Sequence, residues 1–298
     1  MIRVLVPATS ANLGSGFDSL GLALKLYNVI EAEVTEGGIT IEQTGVYTKS
    51  FPPEKNLVYQ AMESVFNLCG NNPKGLSIKI NTSIPGTRGL GSSAACIIGG
   101  MVAANALIGK LGSGEILKLA CKMEGHPDNV VPCLTGGFIT AYYDGENLTY
   151  NKLYIKDDIA LAVFFPEGTI STKKSRTALP PIVSHQDAAF SAAHSALFTS
   201  AIVSGRYDIL KEAVKDVLHQ PYRFDKIDKI EDIFSFCYNA GAYACYLSGS
   251  GPSIGVIIKK SMKNSFRQAA LNFIEKNAPL YEFDIYDFDN RGAMVTKF

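Results

Sequence analysis

A segment rich in glycine and serine, PGTRGLGSSAA, runs from Pro85 to Ala95 and is followed by mostly apolar residues as far as Ile108. A simple turn needs one glycine, whereas this segment contains three and ends where a helix is predicted to begin. Exposed backbone N–H groups and the positive end of a helix dipole attract anions there, phosphate above all. Ser92 and Ser93 add hydroxyl groups that can reach a metal ion bound to phosphate. The segment therefore predicts a phosphate site, with a flexible connector between strand and helix as the alternative.

The same segment matches two common phosphate-binding patterns only in part. It lacks the lysine that follows the last glycine of the P-loop pattern G-x-x-x-x-G-K-[S/T]. It contains GLGSSA, which fits G-x-G-x-x-A, but several residues separate the predicted strand from the first glycine, so the turn is not tight. A nicotinamide dehydrogenase is therefore a distant alternative.

Two more glycine-rich segments lie far apart in the chain. PATSANLGSGFDSLG, residues 7–21, follows a predicted strand and places Asn12 and Asp18 between glycines. LSGSGPS, residues 247–253, lies between a predicted helix and a predicted strand. Either segment alone is more often a turn than a binding site, because asparagine, aspartate, serine and glycine are common turn residues.

Charged and polar side chains are concentrated in EGHPDNVVP, where two carboxylates, an imidazole and an amide fall between Glu124 and Asn129. A helix end with a proline stop and a capped turn explains this segment equally well. Arg176, in STKKSRTALP, and Arg223, in HQPYRF, are candidates for a carboxylate clamp, since an arginine in an apolar or proline-framed segment suits that role. A solvent-exposed position is the ordinary alternative for both arginines.

The composition limits the classes of protein that need to be considered. Of 298 residues, 47% are hydrophobic and 19% are charged, which is sufficient for a full core. Lys and Arg together number 28, as do Asp and Glu, so no basic excess favours a nucleic-acid partner. No segment offers the roughly 18 apolar residues of a membrane span. The six cysteines form no C-x-x-C pair. We expect a cytoplasmic protein with free thiols and no membrane or nucleic-acid partner.

The elements that position these residues follow from hydrophobic periodicity. Strands are predicted at RVLVPA, YNVIEAEVTE, LSIKI, IALAVFFPE, SIGVIIK and YEFDIYDFD. In the first half, helices are predicted over NLVYQAMESVFNLC with Gly70 as the cap, over Ser92–Ile108, and over Ser113–Glu124 with Ser113 as the N-cap. In the second half they are predicted over SAAHSALFTSAIVS, YDILKEAVKDVLH, KIEDIFSFCYNAGA and residues 262–277. A boundary near residue 150 separates two halves of mixed α and β.

Taken in order, the three glycine-rich segments resemble the three motifs of the GHMP small-molecule kinases, and they span almost the whole chain. Within this family, the first motif and EGHPDNV are most similar to the branch that phosphorylates homoserine in threonine biosynthesis. The resemblance implies an α+β fold with an N-terminal domain, residues 1–150, a C-terminal domain, residues 151–298, and the active site between them. It implies transfer of the γ-phosphate of ATP to the side-chain hydroxyl of L-homoserine. A kinase of another small alcohol and a non-catalytic binding protein of this fold stay open, and a homodimer is compatible with the resemblance.

The resemblance also implies roles for individual residues. The Mg²⁺ ligands are Ser93, with Ser92 as the less favoured alternative, and Glu124. Asn56 lies near the adenine, and the glycine segment binds the ATP phosphates through Pro85, Gly86, Thr87, Arg88, Gly89, Leu90, Gly91, Ser92, Ser93, Ala94 and Ala95. The homoserine site comprises Asn12, Asp18, His126, Asn129, Thr172, Arg176 and Arg223. The residues His126, Asn129 and Arg176 are also the catalytic candidates.

The chemistry of homoserine agrees with this division. Its ammonium group requires a carboxylate, which Asp18 supplies, and its carboxylate requires the guanidinium groups of Arg176 and Arg223. Mevalonate-type members of the family have an aspartate at the position of Asn129, and asparagine cannot accept a proton. We therefore expect no side chain to act as an obligatory general base.

Overall fold

The computed structural model describes residues 1–46, 51–168 and 175–298. In these ranges the strands are β1 (Ile2–Ala11), β2 (Leu20–Thr35), β3 (Gly38–Gly45), β4 (Gly75–Thr82), β5 (Phe138–Tyr143), β6 (Leu148–Leu153), β7 (Ile159–Pro166), β8 (Ala244–Leu247), β9 (Ile254–Lys259), β10 (Tyr281–Tyr286) and β11 (Met294–Lys297). The helices are α1 (Leu57–Cys69), α2 (Ser92–Ile108), α3 (Ser113–Glu124), α4 (Pro127–Thr135), α5 (His185–Ser204), α6 (Leu210–Ala213), α7 (Pro221–Phe224), α8 (Ile230–Asn239) and α9 (Lys263–Asn277). This mixture confirms the predicted α+β class.

The first layer is a seven-stranded sheet in the order β11-β1-β2-β4-β3, with β5 paired to β2 and β6 paired to β5. Its strand pairs are antiparallel except β3 and β4, which are parallel because α1 crosses between them. Helices α2 and α4 pack against β1 and β2. In α2, Gly99 permits this close approach, since a Cβ atom there would collide with side chains of Val6 and Ile30.

The second sheet has four antiparallel strands in the order β10-β7-β9-β8. Alternate residues of β7 enter different clusters: Leu161 and Val163 join the core of the first sheet, whereas Ala162 and Phe164 pack beneath α8 and α9. Burial on both faces explains why β7 is a continuous apolar run.

The chain passes between the two sheets more than once. Strand β6 belongs to the first sheet as far as Leu153, and β11 returns from the second half to pair with β1. The division at residue 150 stays a prediction. Among the described residues, no helix has both the length and the apolar character that crossing a membrane requires.

Most predicted helices form at or close to their expected positions. Helix α2 has the predicted bounds, and Gly70 caps α1 in the left-handed conformation. The N-cap of α3 is Gly112 and not Ser113; the prediction of Ser113 is wrong because Gly112 keeps the extended backbone of a cap and donates its N–H to Glu115. The segment YDILKEAVKDVLH forms only a short 3-10 turn and the one-turn helix α6.

Candidate active site

A cavity of about 300 Å³ opens where the three glycine-rich segments meet the N-termini of α1 and α4. Most of the sequence-predicted site residues line it. These are Asn12, Asp18, Asn56, Gly86, Thr87, Gly89, Gly91, Ser92, Ser93, Glu124, His126, Asn129, Arg176 and Arg223. Segments separated by up to about 240 positions in the chain therefore face one volume, as the predicted binding site requires.

Several residues of the predicted phosphate segment do not line the cavity. Leu90, Ala94 and Ala95 are fully buried in the hydrophobic core and hold the segment in place. The guanidinium of Arg88 pairs with Glu282 on β10 at 3.1 Å. Pro85 is also absent from the lining, and Thr172 lies outside the described residues.

The glycine segment leads directly into the first turn of α2. Gly91 is the N-cap residue and has a left-handed backbone, with φ of 65°, and no side chain caps the helix. A Cβ atom at Gly91 would collide with the hydroxyl of Thr9, and one at Gly89 would collide with the carbonyl oxygen of Ser248. Glycine is therefore required at both positions for the segment to pack. Gly91, Ser92 and Ser93 line the cavity, so the positive end of the α2 dipole borders it.

Two oxygen-bearing side chains meet beside this helix end. The hydroxyl of Ser93 donates a hydrogen bond to Oε1 of Glu124, the last residue of α3, over 2.5 Å. A hydroxyl and a carboxylate in contact supply the hard oxygen donors that Mg²⁺ prefers. One turn further along α2, burial and then the charge of Glu124 raise the pKa of the Cys96 thiol to about 11.

The loop between β1 and β2 carries strained backbone at the two predicted binding residues. Asn12 and Asp18 both have left-handed conformations, with φ of 67° and 55°. Oδ1 of Asn12 accepts the Asp18 N–H at 3.0 Å, and its Nδ2 donates to the Gly249 carbonyl at 2.8 Å. The Asp18 carboxylate accepts two hydrogen bonds from Arg176, at 2.7 and 2.8 Å, so these two predicted ligands are already paired.

The second arginine is buried and lies against the same loop. Only 3% of Arg223 is exposed, and its Nη1 donates to the Gly249 carbonyl at 3.2 Å. Burial and the charge of Arg176 lower the pKa of Arg223 to about 10, although nearby carboxylates oppose the shift. The ring of Phe17 lies 5.3 Å from the Arg176 guanidinium and 5.5 Å from that of Arg223. Both cation–π contacts involve the same ring, so the two like charges lie near each other in the cavity lining.

A hydrogen-bonded cluster forms the start of α4. Asp128 is almost fully buried, and its Oδ1 lies 2.6 Å from Nδ1 of His126 and 3.3 Å from Nδ2 of Asn129. Burial alone would lower the pKa of His126, but attraction to Asp128, the hydrogen bond and the charges of Glu124 and Asp18 raise it to about 9. His126 is therefore an imidazolium at neutral pH.

Asn129 is oriented by a residue of β1. The Thr9 hydroxyl donates to its Oδ1 at 2.8 Å, so the amide presents Nδ2 as a donor toward Asp128 and the cavity. An amide held this way can donate a hydrogen bond to a bound oxygen atom, and it cannot take up a proton.

The third glycine-rich segment forms hydrogen bonds with both of the other two. The Ser248 hydroxyl donates to the Gly89 carbonyl at 2.6 Å and also lies 2.8 Å from the hydroxyl of Ser10. The next residue, Gly249, accepts from Asn12 and Arg223. LSGSGPS therefore connects PGTRGLGSSAA to the β1–β2 loop.

Sequence reasoning missed Thr9 and Phe17, which shape the site and lie inside the first glycine-rich segment. Asp128 is one of the two carboxylates that mark EGHPDNV, but the sequence alone does not show that it contacts both His126 and Asn129. An aromatic ring among glycines is the signal that could have identified Phe17.

Comparison with known proteins gives a consistent result over the whole chain. The family model described as GHMP kinases N terminal domain matches residues 56–137, and the one described as GHMP kinases C terminal matches residues 198–275. A homoserine kinase of Caldicellulosiruptor saccharolyticus is 45% identical, with 99% of this chain and 96% of that protein covered. A homoserine kinase of Clostridium botulinum is 41% identical, with 100% and 99% covered.

Solved structures agree with this result. The crystal structure of a homoserine kinase from Cytophaga hutchinsonii superposes with a TM-score of 0.88 at 27% identity, covering 99% of this chain and 97% of that one. A mevalonate kinase of L. major, in complex with R-mevalonate, gives a TM-score of 0.73 at 16% identity, with 97% and 96% covered. The second similarity concerns the fold alone.

Proposed function

The chain belongs to the GHMP kinase family, and from this premise we propose that it is a homoserine kinase, which transfers the γ-phosphate of ATP to the side-chain hydroxyl of L-homoserine. Full-length relatives named homoserine kinase, at 38–45% identity, support the activity. The product is O-phospho-L-homoserine, an intermediate of threonine biosynthesis.

One observation carries the choice of substrate. The Asp18 carboxylate and the guanidinium groups of Arg176 and Arg223 lie near one another in the lining of the cavity. The Asn129 amide lines the same cavity. An α-amino acid presents an ammonium and a carboxylate on one carbon, and this pair of charges matches the opposite charges of the site. The side chain of homoserine then extends its hydroxyl toward Asn129 and the glycine segment.

We infer that the nucleotide occupies the same cavity. We assign its phosphates to the N–H groups at the start of α2 and its adenine to the wall around Asn56, whose Oδ1 caps α1 by accepting from the N–H groups of Val58 and Tyr59. Ser93 and Glu124 fit Mg²⁺ because both offer oxygen and already touch each other. Bound there, the ion would neutralise charge on the phosphate oxygens.

Phosphoryl transfer needs little from a base. Its transition state is loose, so positioning and charge neutralisation carry most of the catalysis. His126 carries a proton at neutral pH and can donate a hydrogen bond, and Asn129 can hold the substrate oxygen in line with the γ-phosphate. The hydroxyl proton leaves late, to the phosphate itself.

A substrate panel tests this function. Purified protein with Mg²⁺ and ATP is supplied with L-homoserine, with 3-aminopropan-1-ol, which lacks the carboxylate, with 4-hydroxybutyrate, which lacks the ammonium group, and with mevalonate. We expect the largest kcat/KM for L-homoserine by far, since both charge contacts are then made. A larger kcat/KM for mevalonate or for either truncated compound would refute the assignment.

A further inference from the structure

Arg223 is held by neutral groups. Within the part of the chain that the structure describes, its guanidinium forms no ion pair within 4 Å, and its buried Nε has no hydrogen-bond partner. Its Nη1 contacts the Gly249 carbonyl at 3.2 Å and Nδ1 of His219 at 3.0 Å. Burying a charge without an ion-pair partner is costly unless hydrogen bonds compensate, so these two acceptors are important for holding the guanidinium in place.

The other nitrogen of His219 determines what Nδ1 can do. Nε2 lies 2.8 Å from the carbonyl oxygen of Gly14 and 3.5 Å from a carboxylate oxygen of Asp216. Both of these oxygens accept, so Nε2 carries the proton and Nδ1 presents a lone pair. Burial, and secondarily the positive charge of Arg223, lower the pKa of His219 although Asp216 and Asp18 oppose the shift. The imidazole is therefore neutral and accepts from Arg223.

Burial, ring stacking and a structured turn hold the His219 side chain in place. Its side chain is fully buried, and its ring stacks on Phe17 with 5.2 Å between centroids. The Asp216 carboxylate accepts the backbone N–H groups of Leu218, His219 and Gln220, which shapes the turn that presents the ring. The ring thus connects the turn before α7 to the β1–β2 loop.

We propose that His219 is a positioning residue for substrate binding: its Nδ1 accepts a hydrogen bond from Arg223 and fixes that guanidinium toward the carboxylate of the amino acid. The contact of Nε2 with Gly14 sets the tautomer that leaves Nδ1 able to accept. The inference rests on the proposed function, since it concerns how that site holds its substrate. It explains why a histidine lies four positions before the arginine in HQPYRF, one helical turn away.

Two substitutions separate the two hydrogen bonds of the ring. His219→Asn places an amide oxygen near the position of Nδ1 and keeps the acceptor for Arg223, but it is too short to reach Gly14. His219→Gln reaches Gly14 with its amide and loses the acceptor. We expect His219→Gln to raise KM for L-homoserine roughly tenfold to a hundredfold, and His219→Asn to change it by less than about threefold. Neither change should alter KM for ATP.

A third measurement tests that the effect passes through Arg223. In an Arg223→Ala background, His219→Gln should have no further effect on KM for L-homoserine, because the guanidinium that it positions is absent. An equal rise in KM for both His219 variants, or the same rise with and without Arg223, would overturn the proposal, since both results describe a general structural role.

A spectrum of the unmodified protein gives a test that does not depend on the folding of variants. The ¹⁵N resonances of His219 at pH 7 should show a protonated Nε2 and an unprotonated Nδ1. A protonated Nδ1 would refute the hydrogen bond from Arg223. Absence of homoserine phosphorylation by the unmodified protein would instead refute the proposed function, and the spectrum would still decide the hydrogen bond.

Discussion

Replacing His126 by glutamine tests whether the reaction uses a side chain as a general base. The pKa of His126 is raised to about 9, since its attraction to Asp128 and to the other acidic groups outweighs the effect of burial. At pH 7.5 most of the molecules then carry the imidazolium, which has no lone pair to accept a proton.

The two possible roles of His126 give opposite pH profiles. If the imidazolium donates a hydrogen bond, kcat is level from about pH 6.5 to 8 and declines as the pH rises through about 9. If the neutral imidazole were the base, kcat would instead rise as the pH approached that value. We expect the decline, and we expect His126→Gln to abolish it with a loss of less than about tenfold in kcat, against the 10²–10⁴-fold that a base contributes.

The assay is coupled ADP release between pH 6 and 10, with the dissociation constants of both substrates measured separately. His185→Gln is the matched control, because His185 is exposed at the start of α5 and does not line the cavity. The reasoning fails if His126→Gln folds, binds both substrates normally and yet loses on the order of 10³ or more in kcat together with an acidic limb.

Three further outcomes follow from the geometry. The ion pair between His126 and Asp128 contributes its full stabilisation below the ordinary histidine pKa of about 6.5, and this stabilisation is lost as the pH rises through about 9. Between pH 6.5 and about 9, the melting temperature of His126→Gln should therefore depend less on pH than that of the unmodified protein. Ser93→Ala should raise the Mg²⁺ concentration required for half-maximal activity, whereas Ser92→Ala should not, and equal effects would contradict the metal assignment. Asp18→Asn should raise KM for L-homoserine roughly tenfold to a hundredfold with KM for ATP unchanged, because the ammonium group loses its partner and Arg176 loses its ion pair; an unchanged KM would exclude Asp18 from the site.

Sequence patterns predict the buried elements best. The residues of α2 are mostly small and apolar on nearly all sides of the helix, and Gly109, in the left-handed conformation, caps its C-terminus. The predicted bounds of α2 therefore agree with the structure. Strand β7 is likewise a continuous apolar run because both of its faces are covered. Burial on every face leaves little choice of residue, and the resulting pattern is easy to recognise.

Helices and strands that are exposed, or that begin at an unusual residue, have weaker sequence patterns. Strand β6 is at least partly exposed along its whole length, so it lacks the alternation that identifies a half-buried strand. Helix α4 begins at Pro127, and a proline suggests the end of a helix unless the chain is known to start one there. Strand β11 is four residues long and forms only because β1 offers an edge.

Sequence patterns also fail to predict how the side chains of the site contact one another. Asp18 and Arg176 are predictable as ligands from their chemistry, but their mutual hydrogen bonds join positions 158 apart. The bond from Thr9 that orients Asn129 spans 120 positions, and the bond from His219 to Gly14 spans 205. Such contacts depend on how two sheets and their loops come together, and no local pattern contains them.

The identity of the phosphorylated product is the most direct test of the central claim. Purified protein is incubated with Mg²⁺, ATP and L-homoserine, and the product is examined by ³¹P and ¹H NMR. The proposed function predicts one phosphate monoester on the side-chain oxygen, formed in equal amount to ADP. ADP release without this ester, or no reaction with L-homoserine while mevalonate is phosphorylated, would contradict it.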